Sequence, residues 1–455
     1  MSEKTLDQLF LEGNSLMNAG QLDDATACFL AALELHRECG EVIANLAFLK
    51  ELQGDYGAAE QYYRQALNLL PQTIQIYLNF GVMLVKQKRF SDAELMYQLA
   101  LAINPDVAAS WSNYGVMLAC TKRETEAEQC YRKALSIDPS YRKARFNLSY
   151  ILLRQGRFEE GWFCLESRDW QDLFTPYFHF PRWLGESLQD KSIVICFEGG
   201  HGDMIQFCRY ASVLKSQGAS KVSIICHPSL VDLFQRMEDL DEVFSYNLDV
   251  DKSGWDFWTP LISLPYYCKT RIETIPAKLP YLSADPEKVS SHQRLFVDDR
   301  LKVGIVWQGN TLFENNDDRS ISQLATLRPI LAISDIQFVS LQKGAGETQA
   351  HAYTGSSFIA GGDVIDNFSD TAALIAHLDL VISVDTSVAH LAGAMGKACW
   401  VLLPEYRSDW RWMKHRLDSP WYPGTMRLFR QIANEDWAAV ARRVALALEE
   451  WKINR

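Results

Sequence analysis

Three groups of residues have types and spacing suited to an anionic ligand. The first is Glu198-Gly199-Gly200-His201-Gly202-Asp203, a glycine-rich run ending on a carboxylate. Glycines let another molecule approach the backbone, and the free amides of a following helix would stand behind them. This places Gly200, His201 and Gly202 on the side of an acceptor. Asp203 has two readings: a cap on that helix, or a general base that takes the proton of an attacking hydroxyl. The run lacks the Gly-Lys-Ser/Thr ending of a nucleotide-hydrolysing loop and the spacing of a dinucleotide fingerprint. The second group is Asp385-Thr386-Ser387-Val388-Ala389-His390-Leu391-Ala392-Gly393-Ala394. Here a buried strand opens into a small-residue helix, which brings hydroxyls and amides to where a pyrophosphate can sit. His390 is either a phosphate or ribose donor or a core histidine. The third group is scattered. Gln308 and Asn310 follow one apolar run, Gln342 and Lys343 follow another, and Arg319 is either a two-pronged phosphate clamp or a solvated loop arginine. Glu405 to Trp412 is rich in aromatics and arginine and either walls a cleft or packs the surface.

These residues must be positioned by strand ends. Apolar runs at 192–197, 221–226, 242–246 and 256–261 predict one parallel sheet, with a helix over 204–217. Runs at 303–307, 337–341, 380–384 and 399–403 predict a second. Doubly wound sheets bind ligands at the carboxyl ends of their strands, where all three groups fall. The expected architecture is α plus α/β, a pair of Rossmann-like lobes spanning 190–290 and 300–433, joined by a polar hinge at 283–300. A last helix, 434–455, is expected to cross back to the first lobe.

The first third is periodic. Proline recurs at 71, 105 and 139, and the same 34-residue step links Ala25, Ala59, Ala93 and Ala127 with Phe29, Tyr63, Tyr97 and Tyr131. Small residues let paired helices approach, an aromatic fills the gap and proline stops the second helix, which is the tetratricopeptide (TPR) pattern. Four repeats over 6–139 and a degenerate fifth predict an α-solenoid at 1–170. Asn45, Asn79, Asn113 and Asn147 keep the period on the first helix of each repeat. There they either pair with the backbone of a bound peptide or protein or bond the neighbouring repeat. The row is similar to the asparagine ladder of O-GlcNAc transferases. Residues 171–189 are aromatic and proline-punctuated, which predicts a packed connector.

Gly-Gly-x-Gly-Asp-Met at 199–204 with Asp-Thr-x-x-x-His-Leu-Ala-x-Ala at 385–394 resembles the family 9 glycosyltransferases, the GT-B group that contains the heptosyltransferases. The resemblance covers about 190–430. It implies transfer of a sugar from a nucleotide-sugar donor with inversion, with Asp203 as base and Asp385, Thr386, Ser387 and His390 along the diphosphate. Arg319 would then meet the donor phosphate. The family's Gly-Pro-Thr-Asp-Pro turn is replaced by Pro404-Glu405-Tyr406-Arg407, so its donor specificity does not carry over. The scheme requires Asp203 and the 386–390 turn to face each other across a gap wide enough for a nucleotide-sugar. It requires no metal and no cofactor. Asp249-Val250-Asp251 has the form of a metal-binding Asp-x-Asp, but it lies outside any nucleotide-binding pattern and reads as a chance match. A non-catalytic TPR scaffold and a lipopolysaccharide-type transferase are the alternatives.

Composition bounds these readings. A net charge of −12 disfavours nucleic acid and anionic membrane as partners. No stretch approaches the ~20 apolar residues of a spanning helix, and the first residues carry no signal-peptide pattern. Ten scattered cysteines without paired spacing point to the reducing cytoplasm.

Overall fold

The computed structural model describes residues 4–248, 254–296, 299–313, 315–355, 357–433 and 435–454. The Asp249–Asp251 pair lies outside these residues. The chain divides into two compact units, Met1–Leu148 and Ser149–Arg455.

The first unit is an array of antiparallel helix pairs. First helices begin at Leu6, Gly40, Ile74 and Ala108, and second helices at Leu22, Tyr56, Phe90 and Glu124, each 34 residues after the last. The small residues act as expected. A Cβ on Gly13, Gly81 or Gly115 would lie 2.6 Å from the ring of Phe29, Tyr97 or Tyr131, so each aromatic fills the space the glycine leaves. The turn prolines have a second role. Their carbonyls accept from the next helix, Pro71 from Tyr77 at 3.1 Å and Pro105 from Trp111 at 2.7 Å, which fixes the approach of successive repeats. Arg89 bridges Glu60 and Asp92, and one period later Arg123 bridges Glu94 and Glu126. These pairs are half-exposed, so each adds at most about 1 kcal/mol.

In the second unit, Phe158–Leu165 has the position of a fifth repeat's second helix. Its aromatics pack within this unit: Phe158 stacks on Trp421, and Trp162 meets Trp410 edge-on at 5.2 Å. The Trp162 indole donates to the Thr270 carbonyl. The connector is packed too. Trp183 is buried, Phe178 stacks on Trp258 at 5.1 Å, and the Trp183 amide donates to the Trp258 carbonyl.

Two parallel sheets follow. The first contains β1 (Ser192–Cys196), β2 (Lys221–Cys226), β3 (Glu242–Ser245) and β4 (Phe257–Pro260), in the order β3-β2-β1-β4. The second contains β5 (Leu301–Val306), β6 (Ile336–Ser340), β7 (Phe358–Ala360), β8 (Leu380–Val384), β9 (Cys399–Leu403) and β10 (Met426–Arg430), in the order β10-β9-β8-β5-β6-β7. In each sheet the chain steps outward from a central strand and then returns to that strand's other side. The order therefore reverses between β1 and β4 and between β5 and β8, and the turns after β1, β5 and β8 stand at these switch points.

Four expectations change. The short edge strands β7 and β10 were not expected; β7 is only three residues long and arginines break the apolar run of β10. The helix expected over 204–217 is two, His201–Phe207 and Tyr210–Ser216, broken where Arg209 turns inward to donate to the carbonyls of Gln206, Pro276 and Trp421. The polar hinge holds a helix, Pro286–His292, tied to the second sheet by Lys288 to Asp370 at 2.8 Å and by His377 on the Val289 carbonyl. The last helix, Trp437–Ile453, does not cross to the first sheet. Val440, Val444 and Leu448 on its apolar face complete the core of the second sheet around Trp400 and Phe429.

Candidate functional site

The turn after β1 is set from below by a buried ion network. Glu198 receives both Nε and Nη2 of Arg168, the latter at 3.0 Å, and the Ile262 amide at 3.0 Å. Arg168 also donates to Glu166 at 2.6 Å and to Ser263 at 2.7 Å, and Arg182 joins Glu166 at 2.7 Å. With Glu198 held, the chain passes Gly199 in the left-handed region (φ +73°) and enters the helix at Gly200.

Asp203 fulfils the capping reading: its Oδ2 accepts from the Gly200 amide at 2.7 Å. Its Oδ1 is bound by the guanidinium of Arg411, from the segment after β9. Burial pushes the carboxyl up from its usual range, and Arg411 opposes that shift. His201 is occupied elsewhere. It bonds Ser229 at 2.9 Å and is stacked between His227 and Phe368. Burial, with His227 second, lowers it to about 4, so it is neutral.

On the second sheet, Thr386 stands at the N-cap position of the helix Ser387–Ala394, but its hydroxyl bonds Ser383 at 3.0 Å and does not cap the helix amides. His390 is buried, bonded through Nδ1 to the Tyr422 hydroxyl at 2.8 Å and stacked on Trp412. Burial holds it well below the usual histidine range, with Arg411, Arg209 and Arg319 adding to the effect. It has a core histidine's bonding, with a tyrosine as partner. Asp385 is raised to about 6, by burial first and by Asp409 second, while Arg319 opposes.

The two switch points meet. A Cβ on Gly202 would lie 2.9 Å from Cδ2 of His390 and 3.6 Å from Cα of Ser387. The turn that carries Asp203 and the 386–390 turn are thus neighbours, touching where Gly202 meets His390. At Gly202 itself the two turns touch, because a residue without a side chain lets the imidazole come close to its backbone.

Of the scattered candidates, Arg319 stands out. Its guanidinium lies 4.2 Å from the Phe313 ring centre, and its buried Nε finds no acceptor among the described residues. Gln342 is used structurally: its Oε1 accepts the amides of Trp307 and Gln308 at 3.1 and 3.0 Å, and its Nε2 donates to the Gln308 carbonyl. The Gln308 side chain donates to Ser322. Asn310 caps the Leu312 amide from an exposed turn. Lys343 reaches Glu347 at 3.2 Å and the Gly362 carbonyl. Gln342 and Gln308 thus bond the backbone beside their strand ends, and Asn310 and Lys343 bond within and next to their own turns.

Sequence reasoning missed the charge cluster around Arg411. This residue joins Asp203 to Asp409 (3.1 Å) and Gln206 (2.6 Å), and lies over the Trp410 ring at 4.6 Å. The only signal was the Arg/Trp density of 405–412. A cavity of about 730 Å³ lies elsewhere, lined by Arg157, Phe163, Tyr266 and Arg271 among others, and shares no residue with this cluster. In the array, Asn45 donates to Asn14 at 2.7 Å and Asn79 accepts from Gln75 at 2.6 Å, so both meet neighbouring side chains. Asn113 and Asn147 are half-buried.

The comparisons define the first unit's class. A tetratricopeptide repeat model matches residues 41–106, and a model of the cilia and flagella-associated protein 70 middle TPR-like domain matches 88–169. The chain contains tetratricopeptide repeats, followed by an α/β part of two parallel sheets. It is 28% identical over 335 residues to Protein FlbA of Caulobacter vibrioides, a match over 68% of this chain and 55% of that protein. It thus spans little more than half that relative's length. Solved structures similar in part are those of Pseudomonas aeruginosa PilF (18% identity, 47% of this chain and 85% of that one, TM-score 0.34) and of yeast Tom70 (20%, 38% and 38%, 0.34). A thermophilic TPR protein of Thermus thermophilus is another (22%, 38% and 97%, 0.34).

Proposed function

We propose that the α/β part is a GT-B-type glycosyltransferase and that the TPR array recruits a protein acceptor or partner. The observation that carries this reading is the meeting of the two switch-point turns on one half-buried group of charges: Asp203, Asp385, Asp409, Arg411 and Arg319, whose Nε has no acceptor among the described residues. In the proposed reaction the acceptor oxygen bonds the anomeric carbon as the bond to the nucleoside diphosphate breaks. Asp203 takes the acceptor proton, and the electron pair leaves on the diphosphate. Arg319 and the amides at Ser387 stabilise that leaving group. A reducing, cytoplasmic setting belongs to the same proposal, as all ten cysteines are unpaired. Among the described residues no helix is long and apolar enough to cross a membrane.

A second reading has its own observation. The Gly202–His390 contact and the Asp203–Arg411 pair fill the place where the reaction would occur, as expected of a TPR scaffold whose α/β part does not turn over. A thermal-shift panel of ADP, GDP, UDP, CDP and dTDP with their sugar conjugates separates the two. The transferase reading expects at least one to raise the midpoint; ligand at 100 times its Kd adds about 2.7 kcal/mol. Arg319→Ala should abolish that shift. No shift with any nucleotide favours the scaffold.

A further inference from the structure

The Asp203–Arg411 pair blocks the base, and every nitrogen of Arg411 is already committed. Arg411 commits Nε to Gln206, Nη1 to Asp409 and Nη2 to Asp203. Two carboxylates thus share one guanidinium. Two donors nearby are buried with no acceptor among the described residues, Nε2 of Gln206 and Nε of Arg319. Gln206 is fully buried, and its amide orientation is fixed because Oε1 takes the Arg411 bond. Buried donors without acceptors are rare and call for a missing partner. A diphosphate offers many acceptor oxygens to donors of this kind. Arg411 also lies over the Trp410 ring, with Phe207 5.6 Å away. A planar guanidinium can turn on such an aromatic shelf and keep its stacking.

We propose that Arg411 is a partner-switching cation: without ligand it neutralises Asp203, and when a nucleoside diphosphate enters beside Arg319 it turns to the diphosphate and frees Asp203 to act as base. The inference rests on the transferase reading. It makes base activation depend on the donor. With Arg411 withdrawn, a carboxylate left in a buried site binds a proton more readily, and the acceptor hydroxyl supplies that proton as its oxygen bonds the anomeric carbon.

The consequence can be read without knowing the sugar, because Asp203 and the diphosphate compete for Arg411. Isothermal titration of the full chain with ADP, GDP, UDP, CDP and dTDP compares wild type, Asp203→Asn, Arg411→Lys, Arg411→Gln and the double variant Asp203→Asn/Arg411→Gln. Whichever nucleotide binds wild type should bind Asp203→Asn at least about tenfold more tightly and Arg411→Gln at least about tenfold more weakly, with Arg411→Lys between. The double variant should match Arg411→Gln, since the two residues act through one contact. Wild-type affinity in Asp203→Asn overturns the switch and leaves the transferase reading standing. Binding of no nucleotide by any form overturns both. If Arg411→Gln does not fold, as judged by circular dichroism, Asp203→Asn alone decides.

Discussion

Replacing Arg168 tests whether the turn that carries Asp203 is held from beneath. The Arg168 side chain is fully buried and faces both oxygens of Glu198, which is equally buried. It also donates to Glu166, to Ser263 and to the Leu165 carbonyl. Arg168→Met removes the cation that both Glu198 oxygens face, and breaking a buried pair from one side costs about 3–5 kcal/mol. The lost bonds to Ser263 and Leu165 fall within that range, because their acceptors lose a partner in the same step. Replacing both ions with apolar groups, Arg168→Met with Glu198→Leu, should recover at least about 2 kcal/mol of the loss, since the pair's attraction is offset by its desolvation. Urea unfolding followed by tryptophan fluorescence reads this part of the chain, because every tryptophan except Trp111 lies beyond residue 148. A loss under about 1 kcal/mol in Arg168→Met, or a double variant no better than the single, would refute the reasoning.

Two further predictions concern the same edge. The folded His201 titrates near 4, below the ordinary histidine value of about 6.5. The unfolded chain therefore binds the extra proton between those values, so stability is complete above about pH 6.5 and falls as pH drops toward 4. Urea midpoints across pH 4 to 7 should show that slope, and His201→Gln should flatten it. Gly202→Ala places a Cβ 2.9 Å from His390, which Tyr422 and Trp412 hold in place. Overpacking there should cost about 1–3 kcal/mol, read as a lowered unfolding midpoint.

How much of this was legible in the sequence depends on the range over which each signal acts. The repeats were legible because a 34-residue period restates one packing rule several times, and Gly81 against Tyr97 repeats as Gly115 against Tyr131. The strands β1, β2, β8 and β9 were legible because central parallel strands are buried on both faces and read as unbroken apolar runs. The edge strands β7 and β10 lack that signal. Among the site residues, Asp203 and His390 stood out because each sits at a strand-to-helix turn, a local pattern. Their partners did not. Arg411 lies 208 residues from Asp203, and Tyr422 lies 32 from His390. Nothing local marks an arginine that reaches a carboxylate on the other sheet apart from one that packs on a surface. The same limit explains Gln342 and Lys343, chosen for their place at a strand exit. What a polar side chain does there depends on which donors and acceptors the neighbouring turns present. For Gln342 these are the amides of Trp307 and Gln308, which donate to its Oε1, and the Gln308 carbonyl, which accepts from its Nε2. Arg319 is the reverse case, an arginine whose buried Nε has no acceptor among the described residues. A buried donor left without an acceptor among the described residues is a better guide to a ligand than a residue whose motif merely fits.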